Sequence, residues 1–319
     1  MSILGCLRAE ALRYLPMPPR VWVQFVIWAT LHTSSLLFME KGALDPGSLP
    51  LRRRLGIIVR TWSNIRRLPL REETGNFRYS KFDFILKRSA QVLFLLMAQR
   101  VISSLSINAF KSLSINLSDF APSKQGILPP FNGKDLSLRA VLSLQWIWDT
   151  YIILNACHHL FAMVFVAALR WDLPEDWPPL FGSVAEAYSL RRFWGVFWQR
   201  LHVVPFEHFM PRFLVQDQRG KLSGTCRSSL RALWVFTISA LCHIAVNWVV
   251  LHQGGTVPEL RFFLSNFFIC LVEKLTTSWL PCISRSSTLR FLGYFWVMVI
   301  FFCLVPSWRY PLILAELLQ

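Results

Sequence analysis

Long apolar runs alternate with polar, basic stretches along the chain. Six of these runs reach or approach the length of about 20 residues that a helix needs to cross a hydrocarbon core. They cover residues 21–39, 83–107, 140–169, 232–251, 261–283 and 291–305. The pattern predicts an all-α fold, in which a polytopic transmembrane helical bundle of about six spans forms a single membrane domain over residues 1–319.

The fourth run, ALWVFTISALCHIAVNWVVL at residues 232–251, holds His243 near its middle and no formally charged residue. An ionisable side chain at this depth is costly, so it is expected to face the bundle interior or a water-filled cavity and marks a candidate functional site. A neutral imidazole that hydrogen-bonds to a neighbouring helix is the structural alternative, and this run alone leaves both open. Asn247 lies one turn later on the same helix face, where it would either fix the tautomer of His243 or form an interhelical hydrogen bond.

Polar residues also occur in the other runs, among them Lys87, Arg88 and Arg100 in the second and Glu273 and Lys274 in the fifth. The third run contains Asp149 and the adjacent pair His158 and His159, and the first run contains His32. Adjacent residues point to different sides of a helix, so the histidine pair is not expected to clamp a metal ion. Structural hydrogen bonding is the favoured interpretation for the histidine pair and a structural or lipid-interface position for His32, while Asp149 is kept as a candidate substrate- or cofactor-binding residue.

The composition supports a membrane protein, because 54% of the 319 residues are hydrophobic and 14% are aromatic. The net charge of +16 does not indicate nucleic acid, since the basic residues are not gathered in one tract with interleaved aromatic residues. They fall mainly in residues 40–82 and 171–231, which carry ten and eight Lys or Arg. The positive-inside rule places both blocks on the cytoplasmic side, opposite residues 108–138 and 252–260. Contacts with anionic lipid headgroups and with cofactor phosphates are possible roles for these arginines.

Two further features bound the class of protein. The seven cysteines are scattered without paired short spacing, so neither a metal site nor a disulfide framework is expected. Residues 1–20 carry Arg8, Glu10, Arg13 and three prolines, and they lack the uninterrupted apolar core of a cleavable signal peptide. We therefore expect a multi-pass integral membrane protein, with the endoplasmic reticulum as its location.

The segment SLRRFWGVFWQRLH at residues 189–202 has helical periodicity within the second basic block. Ser189 is a suitable N-cap, and the apolar residues that follow share one face. This face predicts an amphipathic helix at the membrane interface or beneath the bundle, with Trp194 and Trp198 at headgroup depth. The polar residues line up on a second face that looks either into a site or into solvent: Arg192, Gly195, Gln199 and His202.

Four stretches in this order carry a resemblance to a known family. They are DWPPLFGS at residues 176–183, AYSLRRFWGVFWQRL at 187–201, FTISALCH at 236–243 and LGYFWV at 292–297. Together they resemble the wax-synthase-like branch of the membrane-bound O-acyltransferases, and the likeness is greatest to fungal members that acetylate terpenoid and meroterpenoid alcohols. The resemblance implies a fold of that family, with a wax-synthase-like core over about residues 140–310.

The family pattern also implies roles for particular residues. The histidine that ends its S-x-x-x-H segment is the catalytic base, and that position is His243 here. Its second signature residue, a His or Asn after the second tryptophan of FWG-x-x-W, falls on Gln199, and Val196 stands where the family has Arg. The amide of Gln199 retains a donor and an acceptor but cannot carry a proton.

The resemblance implies acetyl transfer from acetyl-CoA, without a metal, to a hydroxyl of a lipophilic alcohol. Such a reaction needs a base for the hydroxyl proton and donors for the tetrahedral oxyanion. His243 would be the base, and Gln199 with Trp198 beside it would orient the thioester or stabilise the oxyanion. Contacts with substrate or cofactor are expected from Trp194, Trp198, Arg192, His202, Asn247 and Asp149.

Charged CoA is expected to arrive from the cytoplasmic side and the apolar alcohol from the bilayer. Two other functions stay open from the sequence. A long-chain acyl-CoA:alcohol wax-ester synthase would use the same base, and a catalytically impaired membrane scaffold or transporter would fit the many intramembrane polar groups. The sequence does not indicate which alcohol is the acceptor, nor the oligomeric state.

Overall fold

The computed structural model describes residues 19–40, 51–66, 68, 81–128, 132–211, 224–252, 255–279 and 287–318. The predictions made for residues 1–18, for much of the basic block 40–82 and for Arg212, Arg219 and Lys221 lie outside the described residues. Within the described ranges the chain folds into helices and loops without a β-strand, which confirms the predicted all-α class.

Nine helices follow one another along the described residues. They are α1 (Pro19–Ser34, continued by a π-helical turn, Ser35–Met39), α2 (Leu51–Ser63), α3 (Lys81–Ser112), α4 (Gly133–Met163, continued by a π-helical turn, Val164–Ala168), α5 (Leu190–Arg192, continued as a π-helix, Phe193–Phe197), α6 (Val203–His208), α7 (Gly224–Leu251), α8 (Thr256–Trp279) and α9 (Ser287–Leu317). Short 3₁₀ turns at Leu117–Phe120, Pro122–Lys124, Pro174–Asp176 and Val184–Glu186 shape the loops between them.

Five of the described helices, α1, α3, α4, α7 and α9, are long and apolar enough to cross a membrane. These helices make the chain an integral membrane protein. The predicted span at residues 261–283 corresponds to α8, which is not among these five. Its charged residues lie near its two ends: Glu259, Arg261, Glu273 and Lys274.

Helix α9 runs well past its predicted end at residue 305, although Pro306 and Pro311 lie inside it. Proline removes a backbone N–H, so it ordinarily interrupts a helix. The missing N–H of Pro311 frees the carbonyl of Ser307, and Arg261 of α8 donates a hydrogen bond to that oxygen. Because a neighbouring helix satisfies the freed carbonyl, α9 continues and brings Trp308 into the interior.

The helices meet in one aromatic core built by α4, α5, α7, α8 and α9. Trp146 of α4 lies at its centre, with its ring centroid 5.6 Å from that of Trp198, 5.5 Å from that of Phe301 and 5.7 Å from that of Trp308. Each aromatic pair adds roughly 0.5–1.5 kcal/mol beyond the area it buries. The core therefore fixes α5 against the spans, while α1 packs on α7, and α3 packs mainly on α4.

The predicted continuous helix over residues 189–202 is correct at its start and wrong beyond Phe197. Ser189 caps the segment, because its hydroxyl accepts a hydrogen bond from the Arg192 N–H at 3.2 Å. At the other end the Trp198 N–H donates to the Phe193 carbonyl at 2.7 Å, a π-helical bond, and Trp198 then adopts extended angles of φ −67° and ψ 149°.

The early end of α5 has a cause and a consequence. The Phe197 carbonyl accepts a hydrogen bond at 2.8 Å from the N–H of Gly182, in the loop before α5, and this bond holds the end of the helix to that loop. Gln199 and His202 therefore do not share a helical face with Arg192. The helix thus follows the predicted periodicity only over its first two turns, as far as Phe197.

Glu273 of α8 holds the N-terminal end of α5. Its carboxylate accepts hydrogen bonds from the N–H groups of Leu190 at 2.9 Å and Arg191 at 2.8 Å, and from the indole of Trp296 in α9 at 2.9 Å. The first N–H groups of a helix have no partner within the helix, and a negative charge at this end is favourable. The charged residue that interrupts the fifth apolar run thus joins three helices.

Two glycines of the sequence motifs lie where backbones touch. A Cβ atom at Gly182 would clash with the Val196 carbonyl, and one at Gly293 of α9 would clash with the Tyr188 carbonyl. Neither clash is relieved by a side-chain rotation, because both neighbours are backbone atoms. These glycines permit the loop and α9 to approach the α5 region.

We expect Gly182→Ala and Gly293→Ala to destabilise the protein by about 1–3 kcal/mol, the usual effect of overpacking a tight interior. Thermal unfolding of the purified protein in detergent measures the change. Gly195→Ala in α5 is the matched control, since a Cβ there meets nothing within 4 Å. Equal midpoints for all three variants would contradict the close-approach explanation.

Removal of the Glu273 carboxylate leaves two backbone N–H groups and an indole without their acceptor. Glu273→Ala should therefore lower the thermal midpoint, with an effect of about 1–3 kcal/mol for the stranded donors. Glu273→Gln keeps an acceptor oxygen and should lose less. Glu316→Ala serves as the control, because its carboxylate pairs with Arg20 at 2.8 Å while 41% of its side-chain surface is exposed. A loss no larger than in this control would show that Glu273 does not hold α5.

Candidate active site

His243 occupies the middle of α7 and is partly buried between three helices. Its Nε2 atom lies 3.2 Å from the amide nitrogen of Gln24 in α1. Its ring lies 5.0 Å from that of Phe263 in α8 and 6.0 Å from that of Trp308 in α9, measured between centroids. The histidine singled out in the sequence thus faces the bundle interior and not the lipid, as its depth required.

Helix α1 forms one wall of this site, a contribution that the sequence did not reveal. Gln24, Trp28 and His32 follow one another at four-residue intervals, so they share a face of α1. Gln24 contacts His243, and the ring of Trp28 lies 3.7 Å from that of His202. His32 is 2% exposed and its Nε2 lies 2.7 Å from the Trp62 carbonyl of α2, so it is a buried interior residue.

His202 lies at the N-terminal end of α6, and the segment that carries it is held on two sides. The Phe206 N–H donates to the His202 carbonyl at 3.0 Å, and the indole of Trp234 in α7 donates to the Phe206 carbonyl at 2.8 Å. The Nδ1 atom of His208 lies 2.8 Å from the Ser35 hydroxyl at the end of α1. These bonds fix His202 between α1 and α7.

Burial lowers the pKa of His202 to about 3, and the charges that His243 and His32 carry when protonated lower it further. His202 is therefore a neutral imidazole near pH 7. Its Nε2 atom is buried and has no hydrogen-bond partner among the described residues. The interaction with His243 shows that the two rings lie in the same part of the interior.

Gln199, the second residue that the family pattern implies, is engaged elsewhere. Its side-chain oxygen accepts a hydrogen bond from the Leu201 N–H at 2.8 Å, which closes the turn after α5. The structure shows no contact between Gln199 and His243 within the described residues. Gln199 therefore stabilises the loop that leads to His202.

The remaining candidate residues of the α5 segment contact other groups of the protein. Arg192 forms an ion pair with Glu186, and its guanidinium carbon lies 4.7 Å from the Tyr188 ring centre. The indole of Trp194 donates to the Asn266 side chain at 2.9 Å. Trp198 is 6% exposed in the aromatic core. Trp194 is partly buried and packs against the same core.

The two other candidates on the spans also have partners. The Asn247 amide donates to the carboxylate of Glu259 in α8 at 2.6 Å, which is the interhelical alternative raised for this residue. Asp149 accepts a hydrogen bond from Gln99 of α3 at 3.2 Å. The adjacent histidines of α4 are engaged as well, since Nε2 of His158 lies 3.0 Å from the Pro178 carbonyl and Nδ1 of His159 lies 2.9 Å from Arg88.

Arg309 is a further residue that the sequence reasoning missed. It lies on α9 next to Trp308, beyond the predicted end of the last span. Its guanidinium interacts electrostatically with His243, Asp149 and Glu259. An arginine next to a tryptophan after an apolar run was the available signal in the sequence. It was missed because Pro306 and Pro311 suggest that the helix ends before Arg309.

A cavity of about 1240 Å³ lies apart from His243. It opens between α3, α4 and α9, its lining is mostly apolar, and we refer to it as the lateral groove. Phe193 and Phe301 belong both to its wall and to the aromatic core. His243 is not among its lining residues.

The described residues contain no group of three or more His, Cys, Asp or Glu side chains that could hold a metal ion. The site is instead a set of neutral and cationic nitrogen groups among aromatic rings. Such a set can accept a proton at one imidazole and donate hydrogen bonds from its neighbours.

Comparison with known proteins shows a match to one protein family. The Membrane bound O-acyl transferase family matches residues 177–265, a stretch that contains α5, α6, α7 and the first part of α8. His202 and His243 therefore both lie inside the matched stretch, whereas Gln24 and Trp308 lie outside it. No solved structure matches the chain.

Three relatives from fungi extend the comparison. Acetyltransferase nanB of Aspergillus nanangensis is 29% identical over 178 residues, which are 51% of this chain and 41% of that protein. Acetyltransferase ataH of Aspergillus terreus is 29% identical over 197 residues, 59% of this chain and 63% of that protein. Acetyltransferase TRI7 of Fusarium sporotrichioides is 23% identical over 244 residues, 71% of this chain and 54% of that protein.

The chain thus spans about half the length of these curated relatives. The family match and the three relatives confirm the resemblance carried by the sequence motifs, and they place this chain among the relatives of the membrane-bound O-acyltransferase family.

Proposed function

We propose that the protein is a membrane-bound O-acetyltransferase that moves the acetyl group of acetyl-CoA to a hydroxyl of a lipophilic terpenoid or meroterpenoid alcohol. The observation that carries this proposal is His243, a partly buried imidazole of α7 that faces the bundle interior and lies inside the segment matched by the acyltransferase family. The named relatives are acetyltransferases of fungi, which favours acetyl as the transferred group. The endoplasmic reticulum is the proposed membrane.

The proposed reaction is a direct transfer in a complex of both substrates. An imidazole nitrogen of His243 accepts the proton of the acceptor hydroxyl while its oxygen attacks the thioester carbonyl. Collapse of the tetrahedral intermediate breaks the C–S bond, and the CoA thiolate takes the proton back from the imidazolium. No other reactant is consumed, and the products are the acetate ester and free CoA.

The surroundings of His243 suit this role. The aromatic rings of Phe263 and Trp308 exclude water from one side of the imidazole, which limits hydrolysis of the thioester. The contact from Gln24 orients the ring. Among the described residues, this amide is the side-chain hydrogen-bond partner of His243.

Arg66 and Arg200 are the residues that we propose for the phosphates of CoA. Arg66 donates a hydrogen bond to the Pro179 carbonyl at 3.0 Å. Burial lowers the pKa of Arg66, and the nearby charge of Arg200 lowers it further. In contrast to Arg60, which pairs with Asp176 at 2.7 Å, neither arginine forms an ion pair within the described residues. Two like charges kept this close favour a shared anion, and guanidinium groups suit phosphate.

A long-chain wax-ester synthase is a second candidate, favoured by the lateral groove. Its volume of about 1240 Å³ and its apolar lining could hold a fatty acyl chain. Parallel assays with acetyl-CoA and palmitoyl-CoA separate the two functions by the product formed. Activity with neither donor, across a panel of terpenoid and fatty alcohols, would favour a membrane scaffold or transporter instead.

His243→Ala should reduce acetyl transfer by at least about 1,000-fold, because the variant loses its general base. Radiolabelled acetyl-CoA and a terpenoid alcohol, incubated with purified protein in detergent, give the rate, and thermal unfolding reports whether the fold is kept. His252→Asn at the end of α7 is the matched control, since His252 is exposed and Asn accepts its positive φ of 52°. Retention of more than a few per cent of the activity by His243→Ala would remove His243 from the catalytic role.

Arg66→Gln and Arg200→Gln should each raise the KM for acetyl-CoA about tenfold, as expected for the loss of one charge-assisted hydrogen bond. The KM for the alcohol should not change, because the alcohol carries no phosphate. Lys111→Gln, an exposed cation at the opposite end of α3, is the control. A KM for acetyl-CoA equal to that of the control would show that the phosphates bind elsewhere.

A further inference from the structure

The proposed reaction needs a donor for the developing oxyanion as well as a base. The family pattern would supply it from the position of Gln199, but that side chain closes its own turn through the Leu201 N–H at 2.8 Å. α5 ends at Phe197, so the residues after it are not presented by a helix. A different residue must therefore face His243 from this segment if the segment takes part in the chemistry.

His202 is the residue of this segment that reaches the interior. Its ring lies 3.7 Å from that of Trp28, and Trp28 lies one helical turn from Gln24, which contacts His243 at 3.2 Å. Residues four apart on a helix are neighbours on one face, about 5–6 Å between their Cβ atoms. The two histidines are thus placed along the same strip of α1, on consecutive turns. The electrostatic interaction between His202 and His243 supports this placement independently.

The Nε2 atom of His202 is buried without a hydrogen-bond partner among the described residues. Such an atom usually destabilises a protein, and interior polar groups are normally satisfied. The other polar groups of this segment are hydrogen-bonded: the His202 carbonyl, the Phe206 carbonyl and the His208 ring all have partners. The Nε2 atom of His202 is thus a buried polar group of this segment that is free to bind a substrate atom.

We propose that His202 is a catalytic residue that replaces Gln199, and that its Nε2–H donates a hydrogen bond to the carbonyl oxygen of the acetyl thioester and to the oxyanion formed from it. The inference rests on the proposed acetyl transfer and assigns the second residue of that site. His243 moves the proton and His202 stabilises the negative oxygen, so the two imidazoles have separate tasks.

The charge state of His202 agrees with this task. Because burial holds its pKa at about 3, His202 stays neutral in the working range and keeps a proton on one ring nitrogen. A neutral imidazole can therefore act as a hydrogen-bond donor without releasing a proton to the intermediate. The pH dependence of kcat below neutrality should then report one histidine and not two.

The first test compares His202→Phe, His202→Gln and Gln199→Ala in the full-length protein. Phe keeps a flat ring against Trp28 but removes the donor, so kcat should fall about 100- to 1,000-fold, the loss seen when one oxyanion donor is removed. His202→Gln restores an N–H donor and should recover part of the rate. The thermal midpoint of His202→Phe should stay equal or rise, because the substitution removes a polar atom without a partner.

The second test does not depend on the acceptor alcohol. Infrared difference spectra of acetyl-CoA labelled with ¹³C at the carbonyl report the hydrogen bond to that oxygen directly. Binding to the wild-type protein should move the carbonyl band to lower frequency, and His202→Phe should abolish the shift while Gln199→Ala keeps it.

The outcomes separate the two proposals. If the wild-type protein neither binds nor transfers acetyl from acetyl-CoA, the proposed function fails. If it does both, but His202→Phe keeps the wild-type kcat and carbonyl shift, or Gln199→Ala loses them instead, the assignment to His202 is overturned. A large fall in the thermal midpoint of His202→Phe with an unchanged carbonyl shift would mark His202 as structural.

Discussion

In hydrocarbon, no water is present to form hydrogen bonds, so a polar group that lacks a partner within the protein destabilises the fold. This constraint shapes the entire bundle. Arg139 obeys it by donating to the carbonyls of Lys124 and Gly126 at 2.8 Å each, although none of its surface is exposed. Arg261 meets the same requirement by donating a hydrogen bond to the Ser307 carbonyl, which Pro311 leaves without a partner in α9. The partners of these groups are mostly on other helices or loops, so satisfying them also sets how the helices fit together.

The aromatic core and the short helix α5 depend on the same network. Glu273 fixes where α5 begins, and the Gly182 N–H fixes where it ends. Between these two points α5 packs Trp194 against Trp146 and Phe193 against Phe301. The loop that follows is then delivered to a defined place beside α1 and α7. The bonds at the two ends of α5 thereby help to position His202, which lies in that loop.

Much of the fold was accessible from the sequence, because hydrophobic length is a local property that any span must show. The interior orientation of His243 followed from the energetic penalty of placing an ionisable group in lipid. The end of α9 was misjudged, since the prolines stop a helix only where no neighbour such as Arg261 repairs it. The end of α5 was misjudged for a similar reason, because the Gly182 N–H that holds it comes from another segment. Gln24 and Trp28 could not be found, as nothing local marks a side chain whose partner lies more than a hundred residues away.

The contact between Gln24 and His243 has a consequence for the order in which the protein acquires its activity. His243 is enclosed by α1 on one side and by Trp308 of α9 on the other, the first and last helices described. During synthesis α1 is inserted into the membrane before α9, so the two helices enclose His243 only after α9 has been inserted. A partly made chain therefore carries the histidine without its enclosure, and the proposed acetyl transfer requires both ends of the bundle to have closed around it.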